Sequence, residues 1–359
     1  MRAIVYDRFS TPPQLADIPA PTAPDHGVVI DVDATGVCRS DHHAWSGHDE
    51  TVSLPHVPGH ELVGRIASAG PAVEGFHVGE RVTVPFVCGC GACRWCRSGN
   101  AHVCPNQTQP GFTHFGSWAD QVVIHHADAN LVTVPEELPD SALVGLGCRF
   151  ATAFHGLRVR AELQAGETVA VFGCGGVGLS TIMIARAIGA QVIAVDISDA
   201  ALDRARDLGA SRTVSARGLG PGELAEAVVR AAAAVEPAAD RPGGVAVTVD
   251  ALGRQDTITS AIASLGPLGR HVQIGLLDGE PVIDVPRVIA LELSILGSHG
   301  MAAAGYPELV ALVASGDLRP QDLVTTTIGL EQAPQAMLDM DEAGATTAGM
   351  TIIDLGLGR

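Results

Sequence analysis

Val169-Ala170-Val171-Phe172-Gly173-Cys174-Gly175-Gly176-Val177-Gly178 is the stretch that decides the fold. Its first four residues are apolar and read as a buried strand. Glycines at 173, 175 and 178 give the spacing G-x-G-x-x-G. Leu179 to Ile188 then reads as an apolar helix, and Gln191 to Val195 as a second strand that ends on Asp196. A glycine pattern alone says little. Between a strand and a helix, with an acid 18 residues past its last glycine, it marks a dinucleotide-binding unit. Gly173 makes the tight turn. Gly175 lets a pyrophosphate approach the backbone, Gly178 lets the helix pack on the strand, and Gly176 between them belongs to the same cofactor-binding turn. The helix N-terminus adds partial positive charge. Asp196 accepts hydrogen bonds from both ribose hydroxyls and repels a 2′-phosphate. Its neighbours Ile197 and Ser198 supply no cation, so NAD is favoured over NADP. Cys174 is read as a small filler.

Outward from this unit the alternation continues. Ala201–Leu208 reads as a helix, Arg212–Val214 as a strand and Glu223–Ala234 as a helix. Val245–Val249 reads as a strand, Asp256–Leu265 as a helix and Arg270–Ile274 as a strand. The Pro/Gly-rich stretch 236–244 reads as a loop. Strands alternating with helices imply an α/β fold with a doubly wound parallel sheet. A chain of 359 residues suits two domains. The cofactor domain is expected at 150–290. Residues 1–149 and 291–359 then form a discontinuous second domain.

Composition removes several functions. The charge sum is 22 basic against 40 acidic residues, or −18, which argues against nucleic acid or an anionic membrane as a partner. All 22 basic residues are Arg. Without Lys there is no lysine Schiff base and no P-loop lysine. The only tyrosines, Tyr6 and Tyr306, have no lysine with which to form a proton relay. The charge-free run from Thr168 to Ala185 has the length of a membrane span. Its glycines make it strand, turn and helix instead. No apolar leader is visible at the N-terminus, and a cytoplasmic location is expected.

Five of the eight cysteines lie between 88 and 104. Cys90, Cys93 and Cys96 stand at intervals of three, and Cys104 follows. Four thiolates on one loop close a tetrahedron around zinc and leave no open position, which makes the site structural. Free thiols, a redox pair or an iron–sulfur cluster are the other readings of this spacing. Cys88 reads as a small buried residue.

A second set is dispersed. It comprises Cys38-Arg39-Ser40-Asp41-His42-His43, then Gly59-His60-Glu61, then Gly147-Cys148-Arg149. Two sulfurs and one nitrogen leave one zinc position open for chemistry. With the four-cysteine lobe and the Gly-rich turn in this order, nearly the whole chain resembles a zinc-dependent alcohol dehydrogenase of the medium-chain dehydrogenase/reductase family. The resemblance implies a mainly-β, GroES-like catalytic domain beside the Rossmann domain, with a zinc lobe near 88–105. It implies two zinc ions per chain. Cys38, His60 and Cys148 would hold the catalytic zinc. Cys90, Cys93, Cys96 and Cys104 would hold the structural one.

Further roles follow from the same resemblance. Glu61 is the acidic neighbour that approaches the metal, and Asp41 orients His60. Ser40 takes the proton of the alcohol and His43 passes it to solvent. Arg39 matches a pyrophosphate contact, and Thr152 and Val177 match positions beside the nicotinamide ring. Many relatives carry a second phosphate-binding cation near the C-terminus, where this chain has Ala348-Gly349-Met350-Thr351. Trp45, Phe86 and His114 match the substrate pocket, and the apolar wall of Trp45 and Phe86 favours primary or aromatic alcohols. His42 is expected to face away from His43. His48, His56, His125 and His126 read as surface or pocket-rim residues.

The reaction implied is reversible oxidation of a small-molecule alcohol to an aldehyde or ketone, with hydride passing to NAD. A polyol, amino alcohol or other specialised substrate is the alternative. A zinc-free reductase of the same fold, or a non-catalytic cofactor-binding protein, would be expected to lack one of these ligands or relay residues. The 44-residue interval from Cys104 to Cys148 resembles the shorter microbial enzymes, which implies a homo-oligomer, tetramer over dimer.

Overall fold

A computed structural model describes residues 1–235, 243–277, 279–341 and 349–358. It divides into two compact units. One comprises Met1–Ala151, Gly300–Ala345 and Met350–Arg359; the other comprises Thr152–His299 and Thr346–Gly349.

In the second unit, six strands form one sheet in the spatial order Arg212–Ser215, Gln191–Asp196, Thr168–Phe172, Val245–Asp250, Leu265–Gln273, Ser294–Gly297. Every pairing is parallel. By sequence rank the order is 3-2-1-4-5-6, the doubly wound arrangement whose switch point lies beside the first strand. Thr168–Phe172 and Val245–Asp250 are buried along their whole length, as expected for strands covered on both faces. The strand read from Arg270 begins at Leu265 instead. Ser294–Gly297 lies beyond residue 290 yet pairs with Arg270–Gln273, which carries the unit on to His299. It is only four residues long and its residues are mostly exposed. Of the loop read at 236–244, residues 236–242 lie outside the described residues, as does Ala348.

The Gly-rich turn is built by close approach. Gly173 has φ +94°, and a Cβ there would stand 2.5 Å from Leu252 Cγ. A Cβ on Gly178 would meet Gly173 O at 1.7 Å. Backbone oxygen cannot retreat without opening the turn. Gly178→Ala is therefore expected to destabilise the protein by about 2 kcal/mol or more, read from denaturant midpoints. An unchanged midpoint would remove this account of the turn.

The first unit is mainly β. Val28–Val37 is its spine, pairing antiparallel with Leu62–Ala69, Gln121–Ile124 and Met350–Asp354. Arg81–Thr83, Val132–Thr133 and Val324–Ile328 extend the sheet. The core beneath it includes Ile30, Leu62, Ile66, Trp118, Ile124 and Ile353, all essentially buried. This spine delivers Cys38 at its end and places Glu61 beside Gly36, whose N–H donates to Glu61 O at 2.8 Å. Among the described residues no helix is long and apolar enough to cross a membrane.

Candidate active site

Asp41 organises the first part of the site. Cys38 has extended backbone (φ −121°, ψ 150°) and starts the short helix Arg39–Trp45. One Asp41 carboxylate oxygen accepts from the Cys38 N–H at 2.9 Å and so caps that helix. The other accepts from Gly59 N at 3.0 Å and lies 2.9 Å from His60 Nδ1. Both side chains are fully buried. The pairing places the Nδ1 hydrogen toward the carboxylate, so in the neutral ring the lone pair stands on His60 Nε2, which is buried and without a hydrogen-bond partner. Burial alone would lower the His60 pKa, but the Asp41 carboxylate and the Cys38 sulfur raise it well above the ordinary value.

Cys148 arrives from another segment. It follows the 3-10 turn Val144–Gly147, whose Leu146 carbonyl accepts from the buried Tyr306 hydroxyl at 3.0 Å. Gly147 O accepts from Phe86 N at 3.0 Å. The ligand atoms of Cys38, His60 and Cys148 all lie within 4.8 Å of one another. Cys38 and Cys148 pack with Phe86 and Val87 in a small buried cluster. A hydrogen bond with Cys148, against the cost of burial, and the charges of Arg149 and His60 draw the Cys38 thiol toward thiolate. Two soft sulfurs plus an imidazole nitrogen with no other partner fit zinc, and three protein ligands leave a position open.

Replacing Asp41 by Asn removes the charge that fixes the ring. Asp41→Asn should weaken zinc at this site by about 10- to 100-fold, measured by competition with a chromogenic chelator. Equal affinity in variant and parent would show that the carboxylate does not orient the ligand.

Ser40 and His43 share the Arg39–Trp45 helix at i and i+3. Ser40 Oγ lies 3.8 Å from Cys38 Sγ. His43 is exposed while His42 is buried, so the two neighbours do face different ways. Loss of water over part of the His43 ring, with Arg39, His42 and His48 nearby, lowers its pKa. Arg39 donates to Met340 O at 2.7 Å from an exposed position. Thr152 is buried, and its carbonyl accepts from Ser298 Oγ at 2.9 Å.

The structure treats the three pocket residues differently. Phe86 joins the metal group, its ring centroid 6.0 Å from that of His60. Trp45 packs in the main core of the unit, with Nε1 donating to Thr11 O at 2.7 Å. His114 lines a different cleft of about 730 Å³, together with His56 and His125 but with none of the three ligands. His56, expected at the surface or a rim, is 1% exposed and stacks edgewise on Tyr6 at 5.6 Å.

Cys90, Cys93, Cys96 and Cys104 also bring their sulfurs within 4.8 Å of one another. Cys93 Sγ accepts from Cys96 N, and Cys104 Sγ accepts from Cys90 N and Asn106 N. The backbone N–H groups of Ala92 and Cys93 lower the Cys90 thiol to about 6. Asn130 ties the lobe down, exchanging hydrogen bonds with both backbone groups of Gly89. Cys88 is buried and points its thiol at Pro85 O. Four sulfurs gathered this closely, with backbone N–H groups drawing Cys90 and Cys93 toward thiolate, fit a closed zinc site.

At the Gly-rich turn, Asp196 does more than the sequence suggests. Its carboxylate accepts from Cys174 N at 2.7 Å and from Ser198 N at 2.9 Å, so the acid that terminates the second strand also holds the turn. Gly175 starts the helix Gly176–Ile188, with open space where a side chain would be. Val177 is partly buried in the first turn. An exposed backbone turn at a helix N-terminus with a fixed carboxylate nearby fits a dinucleotide.

Residues 24–136 match the alcohol dehydrogenase GroES-like domain, and residues 176–315 match the zinc-binding dehydrogenase domain. An L-threonine 3-dehydrogenase of Anaeromyxobacter dehalogenans is 32% identical, over 96% of this chain and 95% of its own. The chain belongs to the zinc-binding dehydrogenase family. An NAD-dependent alcohol dehydrogenase of Sulfurisphaera tokodaii is 28% identical, over 95% of this chain and 96% of its own. Among solved structures, an alcohol dehydrogenase from Thermus sp. ATN1 superposes with a TM-score of 0.87 at 27% identity, covering 99% of both chains. This zinc-binding dehydrogenase is thus an enzyme of the medium-chain type, built from a GroES-like and a Rossmann-like domain.

Several contributors escaped the sequence reading. Arg149 forms a buried ion pair with Glu61 at 2.8 Å and donates to Val37 O. Burial pushes the Glu61 carboxyl up to about 7 against the pull of Arg149. Phe112 stands 5.0 Å from the His60 ring, and Trp118 Nε1 donates to Gly36 O at 3.0 Å. One signal was available. Arg149 is the only Asp, Glu, Lys or Arg between Asp140 and Arg158, in a mostly apolar run.

Proposed function

We propose that this zinc-binding dehydrogenase oxidises an alcohol to an aldehyde or ketone, reversibly, with NAD as the hydride acceptor. The supporting observation is the unpartnered His60 Nε2 facing two cysteine sulfurs within 4.8 Å, with its other nitrogen held by Asp41. Cys38, His60 and Cys148 hold the catalytic zinc; Cys90, Cys93, Cys96 and Cys104 hold the structural one. Bound there, zinc supplies Lewis-acid stabilisation of the negative charge on the alcohol oxygen.

The chain's own groups do the rest. Asp41 fixes the His60 ring and, through the Cys38 N–H, the start of the helix that carries the relay. Ser40 Oγ accepts the alcohol proton as its own hydrogen passes outward. His43, one turn on and exposed, is held neutral by its lowered pKa and accepts that proton for delivery to solvent. Phe86 walls the site with apolar surface and favours an apolar or aromatic substituent. Arg39, Thr152, Val177 and the turn of Gly173, Gly175, Gly176 and Gly178 hold the dinucleotide. Asp196 takes its adenosine ribose and selects NAD over NADP.

We further place residues 1–149 and 300–359 in the catalytic domain and 150–299 in the cofactor domain, Ser294–Gly297 carrying the latter past residue 290. The protein works in the cytoplasm as a homo-oligomer, tetramer over dimer. An open edge strand supports association: among the described residues Ser294–Gly297 pairs on one side only, and Leu276, Val282 and Ile289 are more than 70% exposed.

The test is NADH formation by metal-replete protein with primary, secondary, aromatic, polyol and amino-alcohol substrates, using NAD and NADP in parallel. Turnover with NAD and a primary or aromatic alcohol is expected. Turnover confined to threonine or a polyol would favour the specialised reading. None with any alcohol would sink both.

A further inference from the structure

Arg149 is a charge where charge is expensive. Its side chain is 5% exposed and that of Glu61 is fully buried. A lone buried ion costs several kcal/mol, so each requires the other. The pair sits in a crowded field. Cys38 and Cys148 contribute two thiolates when metal is bound, and Asp41 and Glu61 contribute two carboxylates. A divalent cation cancels half of that charge, and Arg149 supplies the next positive group.

Glu61 is also held in place from its other side. A Cβ on Gly36 would stand 2.4 Å from Glu61 Oε2, so the absence of that side chain makes the slot the carboxylate fills. Within the slot, Arg149 NH2 meets Oε2 at 2.8 Å, and Arg149 N approaches Oε1 at 3.3 Å. The guanidinium is itself anchored, donating to Val37 O. Glu61 follows ligand His60 directly, yet its oxygens do not belong to the set of ligand atoms that cluster within 4.8 Å. A carboxylate oxygen is a competent zinc donor. Were it to join, it would take the position that three protein ligands leave open.

We propose that Arg149 is a positioning residue that clamps Glu61 in the Gly36 slot, outside the ligand set, and so keeps one coordination position open for the substrate oxygen. The inference rests on Cys38, His60 and Cys148 being the catalytic-metal ligands. Removing the guanidinium leaves Glu61 buried with the metal as its nearest positive partner, and the carboxylate closes the site.

Cobalt(II) tests this without turnover. Parent protein loaded with cobalt should show thiolate-to-metal absorption from both sites. Imidazole should shift the bands of the open site alone. In Arg149→Met, imidazole affinity at that site should fall by about tenfold or more, and a chelator should extract its metal more slowly. The double variant Arg149→Met/Glu61→Ala should recover imidazole binding, because no carboxylate remains to close the site. Gly36→Ala, which crowds Glu61 out of its slot from the other side, should reproduce the loss, and Arg149→Lys should restore part of the binding. If Arg149→Met fails to fold, Gly36→Ala and Arg149→Lys decide the matter. Unchanged imidazole affinity in the folded single variants, or no recovery in the double variant, would overturn the proposal. If the parent shows only the four-cysteine cobalt spectrum, the ligand assignment itself fails.

Discussion

Cys38→Ser will lower kcat/KM for alcohol oxidation by at least about 10³-fold, or roughly 4 kcal/mol of transition-state stabilisation. Cys38 directly follows the central strand of its sheet, and its N–H donates to the carboxylate that also orients His60. Its sulfur is one of three side-chain donors gathered in the catalytic group among the described residues. Serine keeps the backbone and the cap but offers a hydroxyl far less ready to ionise than a thiol. The metal is then lost or loosely held while the fold stays intact. Steady-state kinetics, zinc content and the far-ultraviolet circular dichroism spectrum, taken on one preparation, check this. Loss of activity together with loss of the folded spectrum would mean that the position is structural instead.

The second large effect is on stability. Cys96→Ser removes one of four sulfurs from a lobe that has little apolar core of its own; its helix Arg94–Arg97 buries no residue. Trp95 is 39% exposed, with the guanidinium of Arg94 4.3 Å above its ring. Zinc therefore carries the ordering of this segment. The variant should lose about 3 kcal/mol or more, a fall of roughly 10 °C in melting temperature. It should retain one zinc per chain. Scanning calorimetry with metal analysis checks both numbers. An unchanged melting temperature with one zinc missing would show that the lobe is ordered without its metal.

The sequence announced some of this and hid the rest, for physical reasons. The Gly-rich turn was legible because each glycine answers a local steric demand, which the positive φ of Gly173 and the crowding at Gly178 make visible. The four-cysteine lobe was legible because its ligands are close in sequence. The strand alternation of the Rossmann-like sheet was legible because buried parallel strands are continuous apolar runs. The last strand, Ser294–Gly297, was not, since an edge strand of four residues is too short for its pattern to stand out. The dispersed Cys38–His60–Cys148 set could be assembled only through resemblance, because nothing local joins residues so far apart. Arg149 and Gly36 stayed hidden for the same reason. A buried ion pair and a missing Cβ acquire meaning only when Glu61 is seen lying against both. Trp45 shows the converse: an aromatic residue near a site motif is spent on the core and on the Thr11 carbonyl.

The most direct test of the central claim is a zinc titration of metal-free protein, with bound zinc and NAD-dependent alcohol turnover measured on each sample. Two equivalents per chain are predicted for the parent and one for Cys38→Ser, with turnover rising only as the equivalent absent from that variant fills. Full turnover in a chain that holds a single zinc at Cys90, Cys93, Cys96 and Cys104 would contradict the account.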